Sequence, residues 1–215
     1  MIKKETIITL LIISLFSLLV LQLYNQYQFK KIIDLNIELY KLKDQNRILD
    51  KEIEKLIQEE EQKEENKLIK EIAEWIYEST QHVPLELAEE MAQFTIDNCE
   101  YPKAVLAIIK EESKFNMFAH RSDTKVYGLG QIHYKSWKEE LKDFGVEKSR
   151  DLFDWKKNIL AVDYIYGKYR KQNKNINNTL KRYVGEKNNP KPIYRKQVIK
   201  NISVLTQIEN KYKNS

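Results

Sequence analysis

Hydrophobic and polar positions change rhythm three times along this chain. Residues Thr6 to Leu23 (TIITLLIISLFSLLVLQL) form an almost unbroken apolar run without a full charge, about the length that crosses a bilayer. A cleaved secretory leader has a shorter apolar core and a small-residue cleavage site, whereas this run ends in Leu-Gln-Leu-Tyr-Asn-Gln-Tyr. Residues 1–24 therefore read as an uncleaved transmembrane signal anchor. Lys3 and Lys4 on one side balance Lys30 and Lys31 on the other, so charge fixes no orientation.

From Ile32 to Leu56 the apolar period becomes a heptad. Ile32, Leu39, Asn46 and Ile53 fall at a, and Leu35, Leu42, Leu49 and Leu56 at d. Ile at a with Leu at d favours two parallel strands, and a single Asn at a fixes register by pairing with its twin. Residues 25–67 are thus predicted as a parallel homodimeric coiled coil through Ile32–Leu56, ending in the charged linker EEEQKEENK (Glu59 to Lys67). The alternative is a long amphipathic helix that packs on another protein or on its own domain.

Beyond Leu68 the pattern is that of a compact helical domain, residues 68–215, long enough for a real core. Helical periodicity appears at Leu68–Tyr77, Pro84–Cys99, Tyr101–Ser113, Tyr134–Phe144, Trp155–Arg170, Ile176–Tyr183 and Ile193–Ile208. Strand-like alternation is absent, so the domain is predicted to be all-α. Ile159, Val162, Ile165, Tyr166 and Tyr169 share one face, which makes the helix after Trp155 the buried central one.

One position breaks these stripes. Pro102 opens a helix on which Val105, Ile108, Ile109 and Glu112 lie at i, i+3, i+4 and i+7. Glu112 stands on the apolar face, whereas Glu111 points about 100° away. A carboxyl in that setting must be paired, neutralised by a proton, or placed in a cleft where chemistry uses it. The bland alternative is a helix end that has reached solvent.

Composition narrows the reading only slightly. The formal charge is +5 and the pI about 8.9, with basic residues spread along the chain and lysine in excess near its end. Such a surface suits anionic wall polymers or lipid head groups, and a membrane anchor argues against nucleic acid as a partner. The single cysteine, Cys99, permits no intramolecular disulfide. His82, His120 and His133 lack metal-ligand spacing, so neither metal nor cofactor is expected.

After Glu112 come Ser113-Lys114-Phe115-Asn116, then the turn Gly128-Leu129-Gly130-Gln131, then Asn158-Ile159 with Tyr164 downstream. In this order, over about Tyr101 to Tyr194, the chain resembles the soluble-lytic-transglycosylase (SLT) domain, whose pattern is E-S-x-F-N, G-L-M-Q, N-I and A-Y-N-A-G. Three departures stand out. Gly130 replaces a Met, Thr124-Lys125-Val126 replaces a Gly-Ala, and Tyr183-Val184-Gly185 lacks the Asn that follows the family's Tyr.

The resemblance implies a lysozyme-like fold and cleavage of peptidoglycan glycan strands, with Glu112 as single acid and base and a 1,6-anhydro-muramic product. It also implies that Gln131 and Tyr183 line the cleft, Tyr183 beside Glu112, and that Ser113 fixes the helix end or touches substrate. Local backbone capping for Ser113 and Gln131, and core packing for Tyr183, are the competing roles. A hydrolytic muramidase would need a second carboxylate about 5–10 Å from Glu112, for which Asp123, Asp151 and Asp154 are the candidates, though each also suits a turn or cap. A non-catalytic wall-binding or scaffold protein is the third possibility. The domain is expected on the extracytoplasmic side of the cell membrane, where its substrate lies.

Overall fold

The computed structural model describes residues 4–80, 82–185 and 192–213, with side chains of those between residues 12 and 212. Two compact units divide at Glu61/Gln62. Helix α1 (Lys4–Glu78) begins in the first unit and ends in the second. In the first unit Ile32, Leu35, Leu39, Leu42, Leu49, Ile53 and Leu56 are all exposed on the single chain. Among the described residues no helix is long and apolar enough to cross a membrane. The expected transmembrane helix is thus not found there, and the side chains of residues 6–11 of its apolar run lie outside the described residues.

The second unit, Gln62–Ser215, holds the core. The last turns of α1 contribute Ile69, Ile72, Ala73 and Ile76, all buried at helical spacing. Four more substantial helices follow: α2 (Leu85–Asn98), α3 (Pro102–Ser113), and, after a small sheet, α5 (Trp155–Gln172) and α7 (Pro192–Lys213). The short α4 (Tyr134–Trp137) and α6 (Ile176–Tyr183) lie between them in sequence. Helix α3 is the centre, since every residue from Ala104 to Ile109 is buried and it packs on α2, α5 and α7. On α5 the expected face is inside at Ile159, Val162, Ile165 and Tyr166, with Tyr169 half-buried.

The start and end of α3 are both held by other parts of the fold. Pro102 occupies its first turn, where a missing N–H costs nothing. The Asp163 carboxylate of α5 accepts from the backbone N–H of Glu100 (3.1 Å) and Tyr101 (2.9 Å), groups that a helix start leaves without partners. At the other end Lys114 (φ 50°) and Phe115 (φ 58°) are both left-handed, a conformation that costs a non-glycine residue on the order of 1 kcal/mol or more. It turns the Phe115 ring into the core, edge-on to Trp75 at 6.1 Å.

The structure departs from the sequence expectation in three places. A three-stranded antiparallel sheet, β1 (His120–Arg121), β2 (Val126–Tyr127) and β3 (Ile132–His133), pairs His120 with Tyr127 and Tyr127 with Ile132. Two-residue strands are too short to show alternation, which is why the pattern carried no strand signal. The helix predicted over Tyr134–Phe144 is α4 followed by a 3-10 turn, Glu140–Phe144, which stops at left-handed Gly145. A second 3-10 turn, Ser149–Phe153, precedes α5.

Candidate active site

Glu112 lies one turn beyond buried Ile108 and Ile109 on α3 and is itself half-buried, at the mouth of a cleft of about 660 Å³. Glu112 also lines a second cavity of about 530 Å³. The two share Glu112, Arg121 and Gln131, so the carboxyl stands where they meet. The larger is walled by Trp137, Tyr169 and Tyr183, with Arg121, Lys168 and Arg182 as its cations. Flat rings beside dispersed hydrogen-bonding groups suit a sugar chain, which presents apolar faces and polar edges.

The turn Gly128–Gln131 forms the floor, and Asn158 builds it. Asn158 is completely buried at the start of α5, where Asp154 caps the helix by accepting from the N–H of Lys156 (2.9 Å) and Lys157 (3.2 Å). The Asn158 amide oxygen accepts from the Gly130 N–H (2.8 Å), and its nitrogen donates to the carbonyls of Leu152 (2.7 Å) and Tyr127 (3.2 Å). The backbone approaches so closely that a Cβ on Gly128 would lie 2.0 Å from the Leu152 oxygen, and Gly128 has φ +71° as well. At Gly130, where the resembling pattern has Met, a Cβ would lie 2.2 Å from Val162 Cγ2 and 3.2 Å from the Tyr183 hydroxyl. The glycine therefore allows this floor to seat directly on α5 and α6.

Each residue singled out in the sequence has a place here. Gln131, left-handed at φ 47°, lines both cavities, and its side-chain nitrogen donates to the carbonyls of Ala119 (3.0 Å) and Gly128 (2.9 Å). Its amide N–H groups thus fix the loop. Ser113 lines the smaller cavity, and its hydroxyl has a long 3.4 Å contact with the Ile109 carbonyl of its own helix. Tyr183 lines the larger cleft, its hydroxyl donating to the Gly130 carbonyl at 3.3 Å. Burial first, and then the charges of Glu112 and Tyr169, hold the Tyr183 phenol well above its usual range, so it stays a donor.

The three aspartates considered as partners for Glu112 line neither cavity. Asp151 accepts from the N–H of Glu147 (2.9 Å) and Lys148 (2.8 Å), Asp154 caps α5, and Asp123 is exposed on the β1–β2 turn. The other acids at the cavity walls are engaged. Glu140 pairs with Lys168 at 3.0 Å, and Glu111 accepts from the Asn201 amide at 2.8 Å. Cys99 is half-buried, and burial first, then the Asp163 charge, pushes its thiol up to about 12. Among the described residues no group of three His, Cys, Asp or Glu could hold a metal ion.

Sequence reasoning missed Trp137, Lys168, Arg121 and Arg182 in the cleft wall, and Tyr194 and Asn201 behind α3. The last two carried a signal. Tyr194, Val198, Asn201, Leu205 and Ile208 fall on one face of α7, so two polar groups interrupt an apolar stripe just as Glu112 does on α3. A family model described as the transglycosylase SLT domain matches residues 93–204. No curated protein and no solved structure matches the chain.

Proposed function

Because the chain belongs to the transglycosylase SLT domain family, we propose that it is a peptidoglycan lytic transglycosylase in which Glu112 acts alone as acid and then as base. The observation that carries this reading is that Glu112, at the end of α3, lines both cavities. A strand lying through both cavities brings its scissile bond to that carboxyl.

The protonated Glu112 delivers its proton to the glycosidic oxygen between MurNAc and GlcNAc, and the C1–O4 bond breaks with oxocarbenium character at C1. The resulting carboxylate then takes the proton of the muramoyl C6 hydroxyl as O6 bonds to C1. The product is a 1,6-anhydroMurNAc end, Glu112 is protonated again, and no water is consumed. Aromatic walls at Trp137, Tyr169 and Tyr183 exclude solvent and stack on sugar faces, and the cleft cations fit the carboxylates of stem peptides.

We extend the proposal to the first unit. Residues 1–24 anchor the chain in the cell membrane with the catalytic unit on the extracytoplasmic side, supported by the uncharged run Thr6 to Leu23. Ile32–Leu56 form a parallel homodimeric coiled coil, supported by its exposed apolar seam.

The deciding experiment digests purified peptidoglycan with the full-length protein in detergent and with Glu112→Gln, and weighs the released muropeptides. Anhydro-muramic ends that disappear with the variant are expected. Reducing ends would instead make the protein a muramidase, and release unaffected by the variant would remove Glu112 from the chemistry. Wall binding without release by either protein would leave a scaffold.

A further inference from the structure

The segment that leaves α3 carries two phenylalanines with opposite fates. Phe115 is 1% exposed, its ring turned into the core, whereas Phe118 is 71% exposed. A single exposed ring is ordinary on a protein surface. Two features set this one apart: its backbone is fastened, and it lines the smaller cavity.

The fastening runs to the cleft floor. The Asn116 side-chain oxygen accepts from the Phe118 N–H (3.0 Å), and the Asn116 carbonyl accepts from the Ala119 N–H (3.1 Å). The Ala119 carbonyl in turn accepts from the Gly128 N–H (2.8 Å) and from the Gln131 side chain (3.0 Å). The Phe118 ring leans on Phe153, with centroids 6.3 Å apart and planes tilted by 45°. Phe153 meets Tyr127 edge-on at 6.0 Å, and Tyr127 stacks on His120 at 4.8 Å. A ring supported in this way loses little freedom when a ligand covers it.

The rest of the smaller cavity is mostly polar. Ser113, Lys114, Asn116, His120 and Arg121 line it with Phe118, and its volume of about 530 Å³ lies within the range of about 300–1,000 Å³ for small-molecule sites. One flat apolar surface among hydrogen-bonding groups matches a pyranose, which offers C–H groups on its face and hydroxyl and acetamido groups at its edge. A lipid chain or an apolar peptide would need more than this ring and the Ala119 methyl to cover it.

We propose that Phe118 is a sugar-stacking residue that makes the smaller cavity a second binding subsite for the glycan strand. This inference rests on the reading of the chain as an enzyme of glycan strands. Glu112, Arg121 and Gln131 line both cavities, so one strand can occupy the two together. A pyranose lies against the open face of Phe118, while other sugars of the same strand fill the larger cleft. That contact is made equally in the ground state and the transition state, so Phe118 sets KM rather than kcat.

The test uses the full-length protein in detergent and soluble uncrosslinked glycan strands. Release of muropeptide ends is compared for wild type, Phe118→Ala, Phe118→Trp and Tyr77→Ala, the last removing an exposed ring that lines neither cavity. Phe118→Ala is expected to raise KM about 5- to 30-fold, the range for burying one ring face, with kcat little changed. Its melting temperature should stay that of wild type, because so exposed a side chain adds little to folding. Phe118→Trp should restore most of the KM, and Tyr77→Ala should leave it unmoved. Calorimetric binding of the same strands in a Glu112→Gln background should weaken with Phe118→Ala by the same factor. Binding and KM both unchanged in Phe118→Ala overturn the proposal, and so does an equal loss in Phe118→Trp or in Tyr77→Ala. Strands that fail to bind the Glu112→Gln protein at all overturn it as well. Because binding is read without cleavage, a wild type that releases no ends while Phe118→Ala loses affinity keeps the subsite and refutes only the transglycosylase reading.

Discussion

Replacing Asn158 by alanine is the sharpest probe of how the cleft floor is held. The residue is fully buried and makes three hydrogen bonds, to the Gly130 N–H and to the Leu152 and Tyr127 carbonyls. Alanine strands all three partners where water has no easy access. At about 1–3 kcal/mol for a buried group left without its partner, and with the weaker 3.2 Å contact to Tyr127 counted at the low end, the loss is about 3–7 kcal/mol. A domain of this size has about 5–15 kcal/mol in total, so the variant should fold but with a much lower urea midpoint. Trp75, Trp137 and Trp155 all lie in the second unit, so their fluorescence follows the unfolding of that unit. With a urea slope of about 2 kcal/mol per M the midpoint should fall by about 1.5–3.5 M. Amide exchange at Gly130 should rise with it, because its N–H loses its acceptor. A loss below about 1 kcal/mol, with Gly130 exchange unchanged, would refute the claim that Asn158 holds the turn.

Three further changes test other parts of the molecule. Gly130→Ala places a methyl 2.2 Å from Val162 Cγ2, so the variant should lose about 1–3 kcal/mol in the same urea assay. Its activity should fall further than stability explains, because the turn moves from Tyr183. Glu71 is held below the usual carboxylate range chiefly by its hydrogen bond to Lys211, with Tyr212 adding to it. The stability it brings is therefore present above its unfolded pKa and is lost as pH falls through the lowered value. The gap in melting temperature between wild type and Glu71→Gln, present at neutral pH, should close as pH falls below the ordinary glutamate range and through the lowered folded value. Asn46→Cys tests the parallel, in-register coiled coil, since an a-position thiol meets its twin. Mild oxidation should give a covalent dimer on a non-reducing gel, and the native Cys99, with its thiol pushed up to about 12, should give none in the parent protein.

Much of the second unit was readable because its helices are long enough to show a period. The face Val105, Ile108, Ile109 of α3 and the face Ile159, Val162, Ile165, Tyr166 of α5 are buried where the spacing put them. What was not readable is held by contacts distant in sequence. The Asn158 bonds to Gly130 and Tyr127 span 28 and 31 residues, and the Asp163 bonds that start α3 span more than 60. No local window contains both partners of such a bond. The three strands and two 3-10 turns escaped for a related reason: each is too short to express a period, and tertiary contacts decide its backbone.

The candidate site shows the same division, and it suggests how to read further. Glu112 was visible because a charge on an apolar face contradicts the local pattern. Gln131 and Ser113 offered no such contradiction, and both have backbone contacts that a structural role alone would explain. Tyr194 and Asn201 do contradict their stripe on α7, yet tyrosine and asparagine are mild enough to pass as core and cap. The useful test is whether two such interruptions face one another. Glu111 at the end of α3 accepts from the Asn201 amide of α7 at 2.8 Å, so a polar break in the α7 stripe is answered across the packing. A helix pair bound only by apolar contacts could shift by a rotamer without much cost. A pair joined through such a bond cannot shift without stranding the Asn201 amide, and this ties α7 to the helix that carries Glu112 although none of its described residues lines the larger cleft.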